Sequence, residues 1–350
     1  METTHRVRVG DARDLSLPAE SVELVVTSPP YPMIEMWDDL FADVAPASAE
    51  ALDAGDGKEA FDAMHDALDA VWRELERVLV PGGIACINVG DATRKVGESF
   101  RVYPNHARIT DAFEDLGFDP LPDVLWRKPA NSAAKFMGSG MLPPNAYVTL
   151  EHEYVLVFRK GRRRSFEPGS TRRYESAFFW EERNRWFTDV WTDVRGCLQD
   201  LPADDLRDRA AAFPFEIPYR LVNMYSVYGD TVLDPFWGTG TTTLAAMVAG
   251  RNSVGYELDG EFADHFAERV TDVPEMARDV VGERLRSHRE FVADRRDAGD
   301  EPAYDATHYD FPVVTKQEQD IRFYVADEVA ETDDGYRVTH EPADEMASLE

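Results

Sequence analysis

Apolar and polar positions along the chain follow two alternating rhythms. Short apolar runs bounded by turn residues read as strands: Val7–Val9, closed by Gly10 and Asp11, then Leu24–Thr27. Between Lys58 and Leu79, the residues Phe61, Met64, Leu68, Val71, Leu75 and Val78 recur at three- and four-residue spacing, which predicts an amphipathic helix. The stretch Val80–Gly83, with a proline and two glycines, is expected to stop that helix, and Ile84–Gly90 to form the next strand. The rhythm continues with a helix and turn over Ile109–Phe118 and strands over Pro122–Lys128 and His152–Gly161. A helix from Glu216, a strand over Gly229–Phe236, a helix over Thr241–Gly250 and a strand over Asn252–Asp259 follow. Asp38–Asp56, rich in Ala and Asp, is expected as an acidic loop. Strands alternating with helices predict an α/β fold, a mostly parallel sheet with helices on both faces.

Composition narrows the setting. A chain of 350 residues can build a core without covalent staples. Its two cysteines, Cys86 and Cys197, give neither a disulfide framework nor a metal-ligand spacing, so no metal site is expected. No apolar run approaches membrane-spanning length and the charged N-terminus is no signal peptide, so a cytoplasmic, reducing compartment is expected. With 43% hydrophobic residues disorder is a poor reading, and the net charge of −30 is expected to reflect a solvated surface suited to high salt.

The charge is uneven. Arg127–Gly196 holds 13 Lys or Arg against 8 Asp or Glu, with arginines interleaved among aromatics in Phe158–Phe166, Thr171–Tyr174 and Phe178–Phe187. That pattern suits a nucleic-acid surface or an ordinary charged hairpin. From Thr271 to the end 22 acidic residues face 9 basic ones, and two strand-like runs flank Asp333-Asp334-Gly335, which predicts a hairpin. No function is legible in this tail, which reads as an accessory or capping element.

Two loops carry chemistry. Thr27-Ser28-Pro29-Pro30-Tyr31-Pro32 ends a buried strand with rigid rings that lack N–H donors, so a hydroxyl, a fixed carbonyl and a phenol stand at its carboxyl edge. Asp234–Ala246 joins a strand to a helix through Gly238 and Gly240. It has no Lys for a phosphate-binding loop, and Thr occupies the third glycine position of a dinucleotide fingerprint. Glu257, 17 residues after Gly240, ends the next strand, where a carboxylate can take the two hydroxyls of a ribose. A nucleoside-containing cofactor follows.

Together, Thr-Ser-Pro-Pro-Tyr and Asp-Pro-Phe-Trp-Gly-Thr-Gly-Thr-Thr resemble the S-adenosyl-L-methionine-dependent DNA methyltransferases that modify exocyclic amines. The catalytic stretch precedes the cofactor loop with the basic segment between them, which resembles that family's β arrangement. Leu125–Pro129, Phe213–Ser226 and Gly255–Asp259 match as well, so the resemblance spans about Val7 to Val270. It implies a Rossmann-like class I methyltransferase fold with an inserted target-recognition region and an acidic C-terminal extension. The implied segments are a catalytic half (1–126), a basic target-recognition region (127–200), a cofactor-binding half (201–270) and the extension (271–350).

The resemblance also implies roles. Asp234, Pro235, Phe236, Gly238, Gly240 and Thr241 would form the loop under the methionine part of S-adenosyl-L-methionine. Glu257 would bind the ribose, and Asp11 would lie near the adenine unless it only forms a turn. Phe213 and Pro214 would cover the methionine end, or pack in the core. Ser28 and the Pro29 carbonyl, stiffened by Pro30, would accept N–H bonds from the target amine, and Tyr31 would stack on a flipped base.

Ser28 stands where the family's adenine enzymes mostly carry Asp, which favours cytosine N4 over adenine N6. Cytosine C5 chemistry needs an attacking thiolate, for which Cys86 in an apolar strand and Cys197 after Gly196 lack the setting. RNA and protein methyltransferases usually place the glycine loop first. Double-stranded DNA is therefore the expected partner, with a short palindromic target that the resemblance suggests is CTAG-like. A restriction endonuclease partner, solitary action and the oligomeric state stay open.

Overall fold

The computed structural model describes residues 1–128, 137–195 and 213–344. Among these, ten strands share one sheet: β1 (Glu2–Val9), β2 (Val22–Thr27), β3 (Leu79–Val89), β4 (Phe118–Arg127), β5 (His152–Lys160), β6 (Val190–Trp191), β7 (Thr231–Asp234), β8 (Asn252–Glu257), β9 (Tyr324–Thr332) and β10 (Gly335–Pro342). Their spatial order is β6-β4-β5-β3-β2-β7-β8-β1-β10-β9. The five central strands, β3, β2, β7, β8 and β1, run parallel. β5 runs antiparallel to both β3 and β4, and β10 with β9 closes the far edge as an antiparallel hairpin. This is the mostly parallel sheet that the alternation predicts.

Both faces are covered, which is why β2 reads as an unbroken apolar run rather than an alternating one. Leu24 and Val26 belong to one buried cluster and Val25, between them, to the other. Each is at most 1% exposed, worth about 1.5–3 kcal/mol per side chain removed from water. Helices Gly57–Val78 and Asn105–Asp115 supply one layer. Helices Glu216–Tyr225, Thr241–Val248 and Val273–Asp297 supply the other.

The structure corrects three local expectations. Asp38–Asp56 is mostly not a loop but two short helices, Asp38–Val44 and Pro46–Asp53, which bury Phe41 and Ala51. Pro46 in a first turn followed by Ala, Glu and Leu is good helix sequence, and these short apolar contacts are too sparse to show periodicity. Val80–Gly83 belongs to β3, whose pairing with β2 is irregular between Val22 and Leu24. Gly82 is needed there at φ +84°, where an added Cβ would meet Arg164 N at 2.5 Å. β1 begins at Glu2, well before Val7, because β10 pairs with its first residues from Glu2↔Thr339 onward.

The tail contains the expected hairpin, β9 and β10, together with an unexpected 25-residue helix, Val273–Asp297. Arg284 from this helix is buried against Glu182, bonds Tyr219 Oη at 3.1 Å and lies 4.3 Å above the Phe323 ring. Strands from all four sequence segments thus share one sheet. Lys135, Cys197 and the end of the basic segment at 196–200 lie outside the described residues. Among the described residues no helix is long and apolar enough to cross a membrane.

Candidate active site

The five parallel strands all end on one edge, with Val9, Thr27, Val89, Asp234 and Glu257 as their last residues. In open α/β sheets ligands bind outside these carboxyl ends. A cavity of about 520 Å³ lies there, well sized for a small molecule. Of the residues singled out in the sequence, Asp11, Ser28, Pro30, Phe213, Asp234, Pro235, Phe236, Gly238, Thr241 and Glu257 border it, whereas Pro29, Tyr31, Pro214 and Gly240 do not.

Each wall has a local cause. Asp234 is buried, accepts the Thr27 hydroxyl at 2.6 Å and accepts Phe236 N–H at 3.1 Å. Burial raises its carboxyl pKa to about 6 despite those bonds, and the charge of Glu257 adds to the rise. Glu257 accepts Gly238 N–H at 2.8 Å on one oxygen and Asp259 N–H at 3.0 Å on the other. Leu258 N–H is a third backbone donor to this carboxylate, which keeps acceptor capacity for a further donor. Burial raises the pKa of Glu257 too, with the N–H bonds of Asp259 and Gly238 opposing it.

Asp11 behaves differently. Arg13 grips its carboxylate, with Nη2 2.6 Å from Oδ2, and holds it below the usual carboxylate range. Gly240 precedes helix Thr241–Val248 at φ +76°, where a Cβ would lie 2.5 Å from Phe266 and 2.8 Å from Trp237. Its glycine is required by backbone conformation and packing.

The cavity also has an outer wall that the sequence did not reveal. Asp39, Leu40, Phe41 and Val44 come from helix Asp38–Val44, and Leu68 and Val71 from the long helix. Arg94 fixes the outer helix by pairing with both oxygens of Asp38 at 2.6 and 2.7 Å, and Arg13 donates to the Val44 carbonyl at 3.1 Å.

Ser28, Pro29 and Pro30 follow β2 directly, and both prolines are buried. Ser28 Oγ lies 3.1 Å from Tyr31 Oη, which donates to Glu153 Oε2 at 3.0 Å. Asn88, at the end of β3, and Lys128, after β4, complete this cluster. Sequence reading missed Asn88, Lys128 and Glu153. The available signals were a polar residue inside the apolar run of β3 and a carboxylate opening the apolar run of β5. Cys86 is buried inside β3 and burial pushes its thiol up, so it offers no attacking thiolate.

The basic segment is more engaged than its composition suggests. Arg164 and Arg172 both pair with buried Asp230, Arg159 with Asp119, and Lys160 with Glu76. These cations brace the fold around β5. Arg162, Arg163 and Arg173 are exposed.

A ligand with a nucleoside and a cationic centre fits this site. Two carboxylates, Glu257 and Asp234, and an apolar wall of Phe236, Phe213 and Phe262 face one cavity.

Comparison with known proteins agrees. The family described as N6_N4_Mtase, DNA methylase, matches residues 22–268, more than half of the chain. Type II methyltransferase M.MthZI of Methanothermobacter thermautotrophicus is 52% identical over 93% of this chain and 91% of its own length. Type II methyltransferase M.MjaI of Methanocaldococcus jannaschii is 50% identical over 77% of this chain and 91% of its own. A Thermus thermophilus protein solved with S-adenosyl-L-methionine superposes with TM-score 0.60 at 36% identity, covering 77% of this chain and 94% of that one. The chain therefore belongs to the N6/N4 DNA methylase family and is an S-adenosyl-L-methionine-dependent DNA amino-methyltransferase with the class I methyltransferase fold.

Proposed function

We propose that this enzyme methylates the N4 amine of cytosine within a short palindromic duplex target, CTAG-like on the resemblance described above, after the base has left the helix. The observation that carries this reading is Ser28, a serine that borders the same cavity as Asp234 and Glu257, at the rigid end of β2. When bound, S-adenosyl-L-methionine supplies an electrophilic methyl group on a sulfonium sulfur. Glu257 is proposed to hold the ribose hydroxyls, Asp11 to lie on the adenine side, and the Asp234–Thr241 loop to lie under the methionine part. Phe213 and Pro214 are proposed to cover that end.

An exocyclic amine on cytosine is a poor nucleophile because its lone pair is delocalised into the ring. Bonds from its two N–H groups to Ser28 Oγ and the Pro29 carbonyl favour a pyramidal nitrogen with a usable lone pair. Pro29 and Pro30 fix that carbonyl, so little reorganisation accompanies methyl transfer. Positioning then does most of the catalysis, and no covalent enzyme adduct forms. The Tyr31 ring is proposed to stack on the extruded base. The exposed arginines of the 127–200 segment are proposed to contact phosphates and base edges. A type II modification role, the class named for both archaeal relatives, belongs to the same proposal.

Long-read sequencing of DNA from cells expressing the protein tests this. The expected result is N4-methylcytosine at one short motif. Methyl groups on adenine would move the activity to N6, and no modified motif would remove the proposed site specificity.

A further inference from the structure

The contacts of Ser28 continue beyond the cavity wall. Tyr31 Oη lies 3.1 Å from Ser28 Oγ and 3.0 Å from Glu153 Oε2. Asn88 Nδ2 lies 2.8 Å from both Tyr31 Oη and Glu153 Oε2. Lys128 Nζ lies 2.5 Å from the other carboxylate oxygen, Oε1. Register places Glu153 beside this strand end, since Tyr154 pairs with Val89 and Val155 with Asn88.

Donor and acceptor roles follow from chemistry. A carboxylate only accepts, so Tyr31 O–H donates to Glu153. The Asn88 amide is oriented by the same logic, because its oxygen would repel Glu153, and its NH₂ donates to both neighbours. With its own proton committed, Tyr31 Oη is an acceptor toward Ser28. The Ser28 hydroxyl proton therefore points at Tyr31; Asn88 Nδ2 lies 3.5 Å from Ser28 Oγ on one side, and the remaining lone pair is left for an incoming N–H.

We infer that Glu153 is the positioning residue that sets this polarity and receives the proton released by the reaction. The inference rests on the amine chemistry of the proposed function. Once the amine nitrogen has used its lone pair for the new N–C bond, it is positively charged and must lose a proton. That proton passes to Ser28 Oγ, the Ser28 proton to Tyr31 Oη, and the Tyr31 proton to Glu153 Oε2. The nitrogen keeps the electron pair of its broken N–H bond. Ser28 and Tyr31 end unchanged, Glu153 ends as a neutral acid, and the positive charge of the nitrogen is cancelled against the carboxylate. The Lys128 side chain, 42% exposed, marks the side where the acid can return its proton to water.

The test is single-turnover methyl transfer at saturating S-adenosyl-L-methionine and DNA, with separate binding titrations of each. Glu153→Gln keeps the shape and Tyr31→Phe keeps the ring. Each is expected to slow transfer about 100-fold or more while dissociation constants stay within about twofold, and the double variant should be no slower than the singles. Transfer by Glu153→Gln at the wild-type rate, additive losses in the double variant, or a loss explained by weaker binding would overturn the relay. Should Glu153→Gln not fold, Tyr31→Phe cuts the same chain and decides alone. A wild-type protein that methylates no DNA amine overturns the underlying reading instead.

Discussion

Thr27 donates its hydroxyl to Asp234 Oδ1 across 2.6 Å, with both side chains buried. The bond joins neighbouring parallel strands paired at Leu24↔Val232 and Val25↔Leu233. It therefore ties the strand ending in Ser-Pro-Pro-Tyr to the strand ending in the glycine loop. Ser28 and Pro30, just after the first strand, and Asp234–Gly238, at the end of the second, border one cavity, so this side-chain bond helps set the spacing between the proposed amine acceptors and the proposed cofactor loop.

Removing that donor exposes the cost of a buried carboxyl. Thr27→Val is expected to lower unfolding free energy by about 1–3 kcal/mol, because Asp234 loses a buried partner and gains no water. Thr27→Ser should lose much less. Urea denaturation of the three proteins at one pH checks this.

Asp234 also gives a pH signature. Its carboxyl is raised by burial from 3.8 to about 6, so the folded chain binds this proton more tightly than the unfolded chain. Its contribution to stability is complete below the ordinary carboxyl pKa and is lost as pH rises through about 6. Between pH 4 and 7 the difference in stability between wild type and Asp234→Asn should shift by on the order of 1–3 kcal/mol, against the wild type. Flat differences across that range would contradict the buried environment.

How much of this was legible depended on the range of the signal. The Ser28–Tyr31 stretch and the glycine loop are local in sequence, and rigid rings and glycines state their geometry directly. Glu257 was legible because a strand end places one residue at the edge. Asn88 and Glu153 were not, since their meaning arises only when β5 lies antiparallel beside β3, a pairing across more than sixty residues. The N-terminal half of β1 stayed hidden for the same reason, because its partner lies in the tail. The engagement of Arg164 and Arg172 with Asp230 is likewise a tertiary fact that composition counts as free charge.

The tail is bound to the core through Arg284. Arg284→Ala leaves Glu182 buried without its partner and is expected to cost about 3–5 kcal/mol. Replacement of both residues by apolar side chains should recover part of that loss. Thermal unfolding followed by calorimetry distinguishes the two, and an unchanged Arg284→Ala protein would mean that the tail does not support the core.

Ser28 is the chemical centre of the account. Ser28→Ala removes one proposed amine acceptor and leaves the proposed cofactor loop intact. Turnover is expected to fall about 10²–10³-fold, with S-adenosyl-L-methionine binding unchanged by calorimetric titration. A variant that bound cofactor poorly would place Ser28 in the cofactor site instead.

The central claim concerns which atom receives the methyl group. Purified protein is incubated with isotope-labelled S-adenosyl-L-methionine and duplex DNA, and the nucleosides are resolved by mass spectrometry. Label is expected in N4-methyl-deoxycytidine. Label in N6-methyl-deoxyadenosine or 5-methyl-deoxycytidine, or in no nucleoside, would contradict the claim.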